Sequence, residues 1–312
     1  MRFSSIIERF FEKFQLARSK ASEESLMLAG ENLLSTKRLL WDSEKLPFIV
    51  PNWDDYGFKV FSQNNEDGLI QYIINHTVIP RKCFIEFGVE SYLESNTRFL
   101  LLHNCWNGFV MDGSSDYMNK LRKQNIYWQR NINSKGVFIT KENINSLIEE
   151  SQLLGNIGLL SVDIDGNDYW VLKAIKCIEP QILICEYNPI FGSKEKVSIP
   201  YRPNFFRTSA HYSNLYWGAS LSAFTHLANT RGYKLVCVNN VGNNAFFVKR
   251  CASDLPEISV DEAWREPSFR ESRNPNGGLT FLSMSDGRLL LGDMPVVDVV
   301  TGKEKRIADL LM

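Results

Sequence analysis

The residues with the clearest capacity for chemistry lie where apolar runs give way to loops. The densest group is Ser161-Val162-Asp163-Ile164-Asp165-Gly166-Asn167-Asp168-Tyr169-Trp170. Asp163 and Asp165 are two positions apart, which puts both on one side of an extended strand. Three acids this close repel one another unless a cation or a substrate ammonium offsets them. Oxygen ligands alone suit a hard cation such as Mg²⁺ rather than zinc. A structural reading competes, in which Asp168 caps the following helix and one aspartate bonds loop amides. The next apolar run ends Glu186-Tyr187-Asn188-Pro189. Glu186 and Asn188 could complete an oxygen cage begun by Asp165, and Asn188 could equally be the turn residue before proline.

Two earlier runs end in the same way. Ile85-Glu86-Phe87-Gly88 joins an acid to a glycine, which lets backbone amides approach a ligand; a single glycine is not a dinucleotide fingerprint. Asp112 closes GFVMD, the place where open α/β folds bond a ribose diol, and Ser114, Ser115 and Asp116 after it would also suit a helix N-cap. Residues 190–218 lack periodicity and carry Lys194, Lys196, Arg202, Arg207, His211, Tyr212, Tyr216 and Trp217. So long a loop beside the sheet is expected to serve an acceptor such as a sugar or an anionic, phosphorylated substrate. His211 is the histidine best suited to take a proton near neutral pH, with a surface role as the alternative. His76, His103 and His226 fall in helical patterns.

Strands must present these ends together. The pattern predicts strands at 83–88, 108–112, 136–140, 158–165, 181–187, 233–239 and 244–249. Helices are expected at 95–104, 115–124, 142–154, 168–177 and 219–231. Continuous Val/Ile/Leu runs suit strands covered on both faces, and their alternation with helices predicts an α/β, doubly wound, mostly parallel sheet. Such sheets bind ligands at the carboxyl ends of their strands. Residues 1–50 read as a helical extension. Phe3, Ile6, Ile7, Phe10, Phe11 and Phe14 make one stripe, a second helix runs from Ser22 to about Leu40, and Pro47 and Pro51 mark a linker. The Rossmann-like body is expected over 51–250. Residues 251–312 read as a small β appendage, with a hairpin of 279–284 and 288–291 about Ser285-Asp286-Gly287.

The 312 residues carry 35 Lys+Arg against 36 Asp+Glu, with 44% hydrophobic residues, which excludes a disordered chain and a strongly basic nucleic-acid binder. Aromatics at 12% suit a thick core or a cleft for a flat or sugar-like ligand. Cys83, Cys105, Cys177, Cys185, Cys237 and Cys251 show no metal-like spacing and read as reduced thiols. With no secretory leader pattern and no run of about 20 apolar residues, this predicts a cytoplasmic protein without a transmembrane segment.

Taken in order, FSQNNEDGLI, FIEFGVESYLESNTRFL, GFVMDG, LLSVDIDGNDYWVLKAI, ILICEYNPIFG and WGASLSAFTHLANTRGYKLV…NNAFFVKR resemble FkbM-type methyltransferases over roughly residues 58–250. The resemblance implies a class I S-adenosylmethionine-dependent methyltransferase fold. It implies Glu86, Gly88 and Asn96 as cofactor-binding residues, with Glu86 and Gly88 beside the methionine end, and Asp112 on the ribose. Many relatives carry a small residue and then Asp-Gly after this glycine. Here the loop reads Val89-Glu90-Ser91-Tyr92, with Glu90 in place of the aspartate. Related sugar O-methyltransferases hold Mg²⁺ with acids at the fourth and fifth strand ends; Asp165 and Glu186 occupy comparable places, Asn188 a weaker one.

The expected activity is O-methylation of a sugar in a glycan, nucleotide-sugar or glycoconjugate, with Mg²⁺ assistance and His211 or Asp163 as base. The alternative is a non-catalytic subunit of a glycan-assembly complex that keeps the fold. The N-terminal helix is expected to pack on its own domain or on a second subunit, with a second copy or a glycosyltransferase as the partner it could serve; a membrane-surface helix is the lesser alternative, because its polar face mixes signs. Metal-assisted phosphoester hydrolysis ranks last, because no P-loop is present.

Overall fold

The computed structural model describes residues 22–39, 53–268 and 271–310. Seven strands form the main sheet: β1 (Cys83–Phe87), β2 (Asn107–Asp112), β3 (Ile132–Gly136), β4 (Gly155–Val162), β5 (Ile178–Glu186), β7 (Tyr233–Val238) and β8 (Asn244–Lys249). A smaller sheet holds β6 (Val197–Ser198), β9 (Pro295–Asp298) and β10 (Glu304–Arg306). The main order is β3-β2-β1-β4-β5-β8-β7. Strands β1 to β5 pair in parallel, and β8 runs antiparallel to both β5 and β7. The expected α/β, doubly wound sheet is therefore present.

The apolar runs make these strands because both faces are covered. Every residue of CFIEF is buried. Alternation sends Ile85, Phe87 and Cys185 into one core, with Leu172, Phe224 and Ile148 from covering helices. It sends Phe84, Val110, Leu159 and Ile184 into a second core, with Leu69, Tyr72, Phe99 and Leu100. Each buried large apolar side chain contributes about 1.5–3 kcal/mol, so the cores fix the register that aligns the strand ends.

Helix 22–39 matches the second predicted helix. Its Leu34 enters the second core, and Gly30 lies where a Cβ would meet Val60 at 2.7 Å. The Phe3–Phe14 stripe and the Pro47/Pro51 linker lie outside the described residues. All six cysteines are free. Among the described residues, no helix is long and apolar enough to cross a membrane.

Three local expectations need correction. The third strand is Ile132–Gly136, not 136–140. Its register pairs Gly108 with Ile132 and Asp112 with Gly136, so the strand is spent when the Val137-Phe138-Ile139 run begins. Phe138 and Ile139 line a cavity instead. The fourth strand ends at Val162, so Asp163 and Asp165 are not on an extended strand. The proposed hairpin over 279–291 is a helix, Met284–Leu290, because the Ser283 hydroxyl accepts from the Asp286 amide and starts a helical turn. The hairpin lies further on, in β9 and β10. There Val197 pairs with Asp298, and Phe191, Val197, Trp217, Leu291, Val296 and Ile307 share a third core. The C-terminal segment thus clamps the long loop after β5.

Candidate functional site

The carboxyl ends of β1, β2, β4 and β5 open onto one cavity of about 900 Å³. Its walls include Gly88, Glu90, Asp112, Phe138, Asp163, Asp165, Glu186, Phe205, Arg207 and Asn243. Acids predicted at three of these strand ends therefore converge on it, as open parallel sheets require at such an edge.

On the β1–β2 side the acids are well engaged. Glu86 is buried and accepts from the Ser95 hydroxyl (2.7 Å), the Asn96 amide (2.9 Å), the Thr97 amide (3.1 Å) and the Thr97 hydroxyl. It does not line the cavity; it shapes the loop after β1. Asn96 is part of that loop and bonds Ser161 Oγ through its side-chain amide at 3.1 Å. Asp112 lines the cavity, and its two oxygens accept from the Glu90 amide (2.8 Å) and the Ser114 amide (2.7 Å). A carboxylate has about four acceptor positions, so about two remain for a ligand.

The loop after β1 keeps a left-handed backbone at alternate positions: Gly88 (φ 71°), Glu90 (φ 46°) and Tyr92 (φ 62°). Gly88 is obligatory, because a Cβ there would lie 1.5 Å from the Asp163 carbonyl oxygen. Glu90 and Tyr92 hold a conformation that costs a non-glycine residue roughly 1–2 kcal/mol. Tertiary contacts offset that cost. Tyr92 is fully buried, its hydroxyl lies 2.9 Å from Thr97 Oγ1, and its carbonyl accepts from Arg98 at 2.5 Å. The Arg98 guanidinium also lies over the Tyr92 ring.

On the β4–β5 side the acids are poorly engaged. Carboxylate oxygens of Asp163, Asp165 and Glu186 lie within 4.8 Å of one another. Glu186 is 8% exposed; one oxygen accepts from Asn243 at 3.2 Å and the other has no partner. Burial, then repulsion from Asp165 and Asp168, pushes the Asp163 carboxyl well above its ordinary range. Burial, then repulsion from Asp163, does the same to Glu186. The carboxylates meet because the chain turns left-handed at Asp165 (φ 54°). Asp168 holds that turn, accepting from the Ile164 amide (2.7 Å) and the Gly166 amide (2.8 Å); burial raises its pKa to about 6. Asp168 is thus the acid that bonds loop amides, and the other two aspartates face the cavity.

Two predicted residues lie apart. Asn188 gives its amide hydrogens to the Leu215 (2.9 Å) and Trp217 (3.0 Å) carbonyls and accepts from the Ile190 amide (3.1 Å). This side chain braces the long loop and is not one of the three converging groups. His211 follows the helix Arg207–Ala210, lies 2.8 Å from Ser213 Oγ and stacks on Tyr212. Burial lowers its pKa, and it is not among the cavity's lining residues.

Two features carried little signal in the chain. Glu66 accepts from Asn239 (2.7 Å) and Asn244 (3.1 Å), tying the FSQNNEDG segment to the turn that presents Asn243 to Glu186. The asparagine-rich VNNVGNN was the available signal. Arg207 was one base among several; its guanidinium bonds Asp165 (2.6 Å), Glu271 (3.1 Å) and the Asn214 carbonyl (2.7 Å) and covers the Trp217 ring.

The donor sets can be matched to ligands. Among the described residues, the cavity wall carries Glu90, Glu94, Asp112, Asp163, Asp165, Glu186 and Glu271 against one cation, Arg207, itself paired twice. Such a wall suits a cationic ligand better than an anionic one. The unpartnered Glu186 oxygen and the all-oxygen set fit a hard divalent ion.

The sheet has a Rossmann-like α/β arrangement with an antiparallel pair at one edge. No protein-family model and no curated protein matches the sequence. Among solved structures, the chain is similar to the CurJ carbon methyltransferase, at 10% identity and TM-score 0.38, covering 63% of this chain and 57% of that one. It is similar to a mutant of MtNAS in complex with S-adenosylmethionine, at 11% identity and TM-score 0.36, covering 73% and 76%. An O-methyltransferase family protein from Burkholderia thailandensis matches at 9% identity and TM-score 0.35, covering 56% and 51%. The chain thus spans just over half the length of the first and the last of these.

Proposed function

We propose that this chain is an FkbM-type, S-adenosylmethionine-dependent O-methyltransferase acting on a sugar hydroxyl of a glycan or glycoconjugate. The observation that carries the reading is a single cavity with Asp112 on one wall and Asp163, Asp165 and Glu186 on the other.

In this reading Gly88 and its loop leave room for the methionine end of the cofactor, and Asp112 takes the ribose diol. Asp165 and Glu186 would hold a Mg²⁺ ion, and Asp163 would take the proton of the acceptor hydroxyl. Its place on the cavity wall, beside Asp165 and Glu186, suits Asp163 to that role. When bound, S-adenosylmethionine supplies a sulfonium-activated methyl group, and Mg²⁺ supplies charge that favours a deprotonated hydroxyl. Phe205 and Phe206 line the cavity where a sugar ring would lie, and its walls would align the acceptor oxygen. Loss of glycines from the β1 loop would favour the non-catalytic alternative. Against that, Glu90 and Tyr92 retain the left-handed backbone that glycines would supply.

Calorimetric titration with S-adenosylhomocysteine, followed by transfer of labelled methyl groups to glycan acceptors, tests the reading. Asp112→Ala is expected to weaken S-adenosylhomocysteine binding at least about tenfold, the scale of a lost charge-assisted hydrogen bond. Asp163→Asn is expected to lower transfer about 100-fold or more with binding retained, and His211→Ala to stay within about twofold. Absence of binding heat at millimolar ligand would sink the proposal.

A further inference from the structure

We infer that Arg207 is the resident counter-cation of the carboxylate cluster, holding Asp165 when no metal ion is bound and opposing the ion that replaces it. This deepens the proposed function and rests on its metal reading. Arg207 comes from the long loop after β5, and its side chain is only 14% exposed. Every part of the guanidinium has a fixed use: one nitrogen on Asp165, one on Glu271, one on the Asn214 carbonyl, and the face on Trp217. A planar fork so held keeps its charge in one place. Asp165 is the most open member of the cluster, with a side chain 59% exposed, and it is the member that Arg207 engages.

The charge count explains why such a group is needed. Asp163, Asp165 and Glu186 converge, and Glu186 keeps an unpartnered oxygen although it is buried. Without a cation the three carboxylates repel; Arg207 supplies one positive charge at the edge of the cluster. A divalent ion taken up by Asp165 and Glu186 would lie within a few ångströms of that charge. Two positive charges at one carboxylate repel at so short a range. Ion affinity is therefore held down until another ligand, such as the acceptor diol, adds oxygen donors. A bracing role alone predicts the opposite sign: removing the brace would loosen Asp165 and weaken the ion.

The test is a Mn²⁺ titration of the full chain, followed by electron paramagnetic resonance of the free ion, with thermal unfolding alongside. Arg207→Gln is expected to bind Mn²⁺ about tenfold more tightly than the parent, from loss of one nearby positive charge. Arg207→Lys, which keeps the charge but loses the forked hold, should bind no more tightly than the parent, and Arg207→Met, which also removes the charge, decides the matter should the glutamine variant fail to fold. Without ion, Arg207→Gln should melt at lower temperature, and saturating Mn²⁺ should raise its Tm by more than it raises the parent's. Equal or weaker Mn²⁺ binding by the charge-removing variants, or binding by Arg207→Lys as tight as theirs, overturns the inference. No saturable binding by parent or variant at millimolar Mn²⁺ overturns the metal reading itself, while leaving cofactor binding as a separate question.

Discussion

The two walls of the cavity use the same residue types to different ends. On the β1–β2 wall, Glu86 and Asp112 are surrounded by donors: four for Glu86, and two backbone amides for Asp112. On the β4–β5 wall, Asp163 and Glu186 face each other, and one Glu186 oxygen has no partner. A buried carboxylate that collects amides organises backbone; one left short of donors is poised for a cation or a proton. The contrast separates acids that build the site from acids available to operate it.

The sharpest way to break the contrast is at the contact between the walls. Gly88→Ala puts a methyl group onto the Asp163 carbonyl oxygen, in a left-handed conformation that alanine resists. Backbone cannot yield cheaply there, so a loss of about 3 kcal/mol or more is expected by chemical denaturation, with S-adenosylhomocysteine binding abolished.

The same substitution on each wall should act with opposite sign. Glu86→Gln weakens four charge-assisted hydrogen bonds and sets an amide donor among donors, so it should destabilise by about 2–3 kcal/mol. Glu186→Gln removes a buried charge that repels Asp163, so the ion-free protein should be unchanged or up to about 1 kcal/mol more stable, with Mn²⁺ affinity lost. Urea denaturation of the pair measures both. Equal destabilisation would erase the distinction between the walls.

The pH dependence should be milder than the loss at Glu86. Burial raises Asp67 and Asp168 to about 6 and pushes Asp163 and Glu186 well up. For an acid raised on folding, the native state binds the proton more tightly. The associated stabilisation is present at low pH and lost as pH rises from the unfolded value near 4 through the folded value. The ion-free protein should therefore gain on the order of 1–2 kcal/mol between about pH 7 and about pH 5.5, read as a rising Tm. Saturating Mn²⁺ should flatten the part due to Asp163 and Glu186, since the ion holds them ionised.

Much of this was legible in the chain. Apolar runs such as CFIEF and QILIC announce buried strands by composition. An acid at the end of each marks the edge where open sheets bind ligands, and the DIDGND segment marked the carboxylate cluster before any fold was known. Short-range patterns failed where long-range register decided. VFI reads as a strand, yet pairing with β2 had already ended at Gly136. SDG reads as a hairpin turn, yet Ser283 captures the Asp286 amide and starts a helix. Asn188 reads as an oxygen ligand, yet two carbonyls from the long loop claim its amide.

Sequence by itself settled which acids exist and that strand ends would gather them, because hydrophobic periodicity and chain direction are local properties. Only the tertiary structure decided which acids are satisfied and which are left wanting. That depends on donors far away in the chain: Thr97 for Glu86, Asn243 for Glu186, Arg207 for Asp165. Electrostatic need is a property of the folded neighbourhood, and no spacing of residues along the chain encodes it.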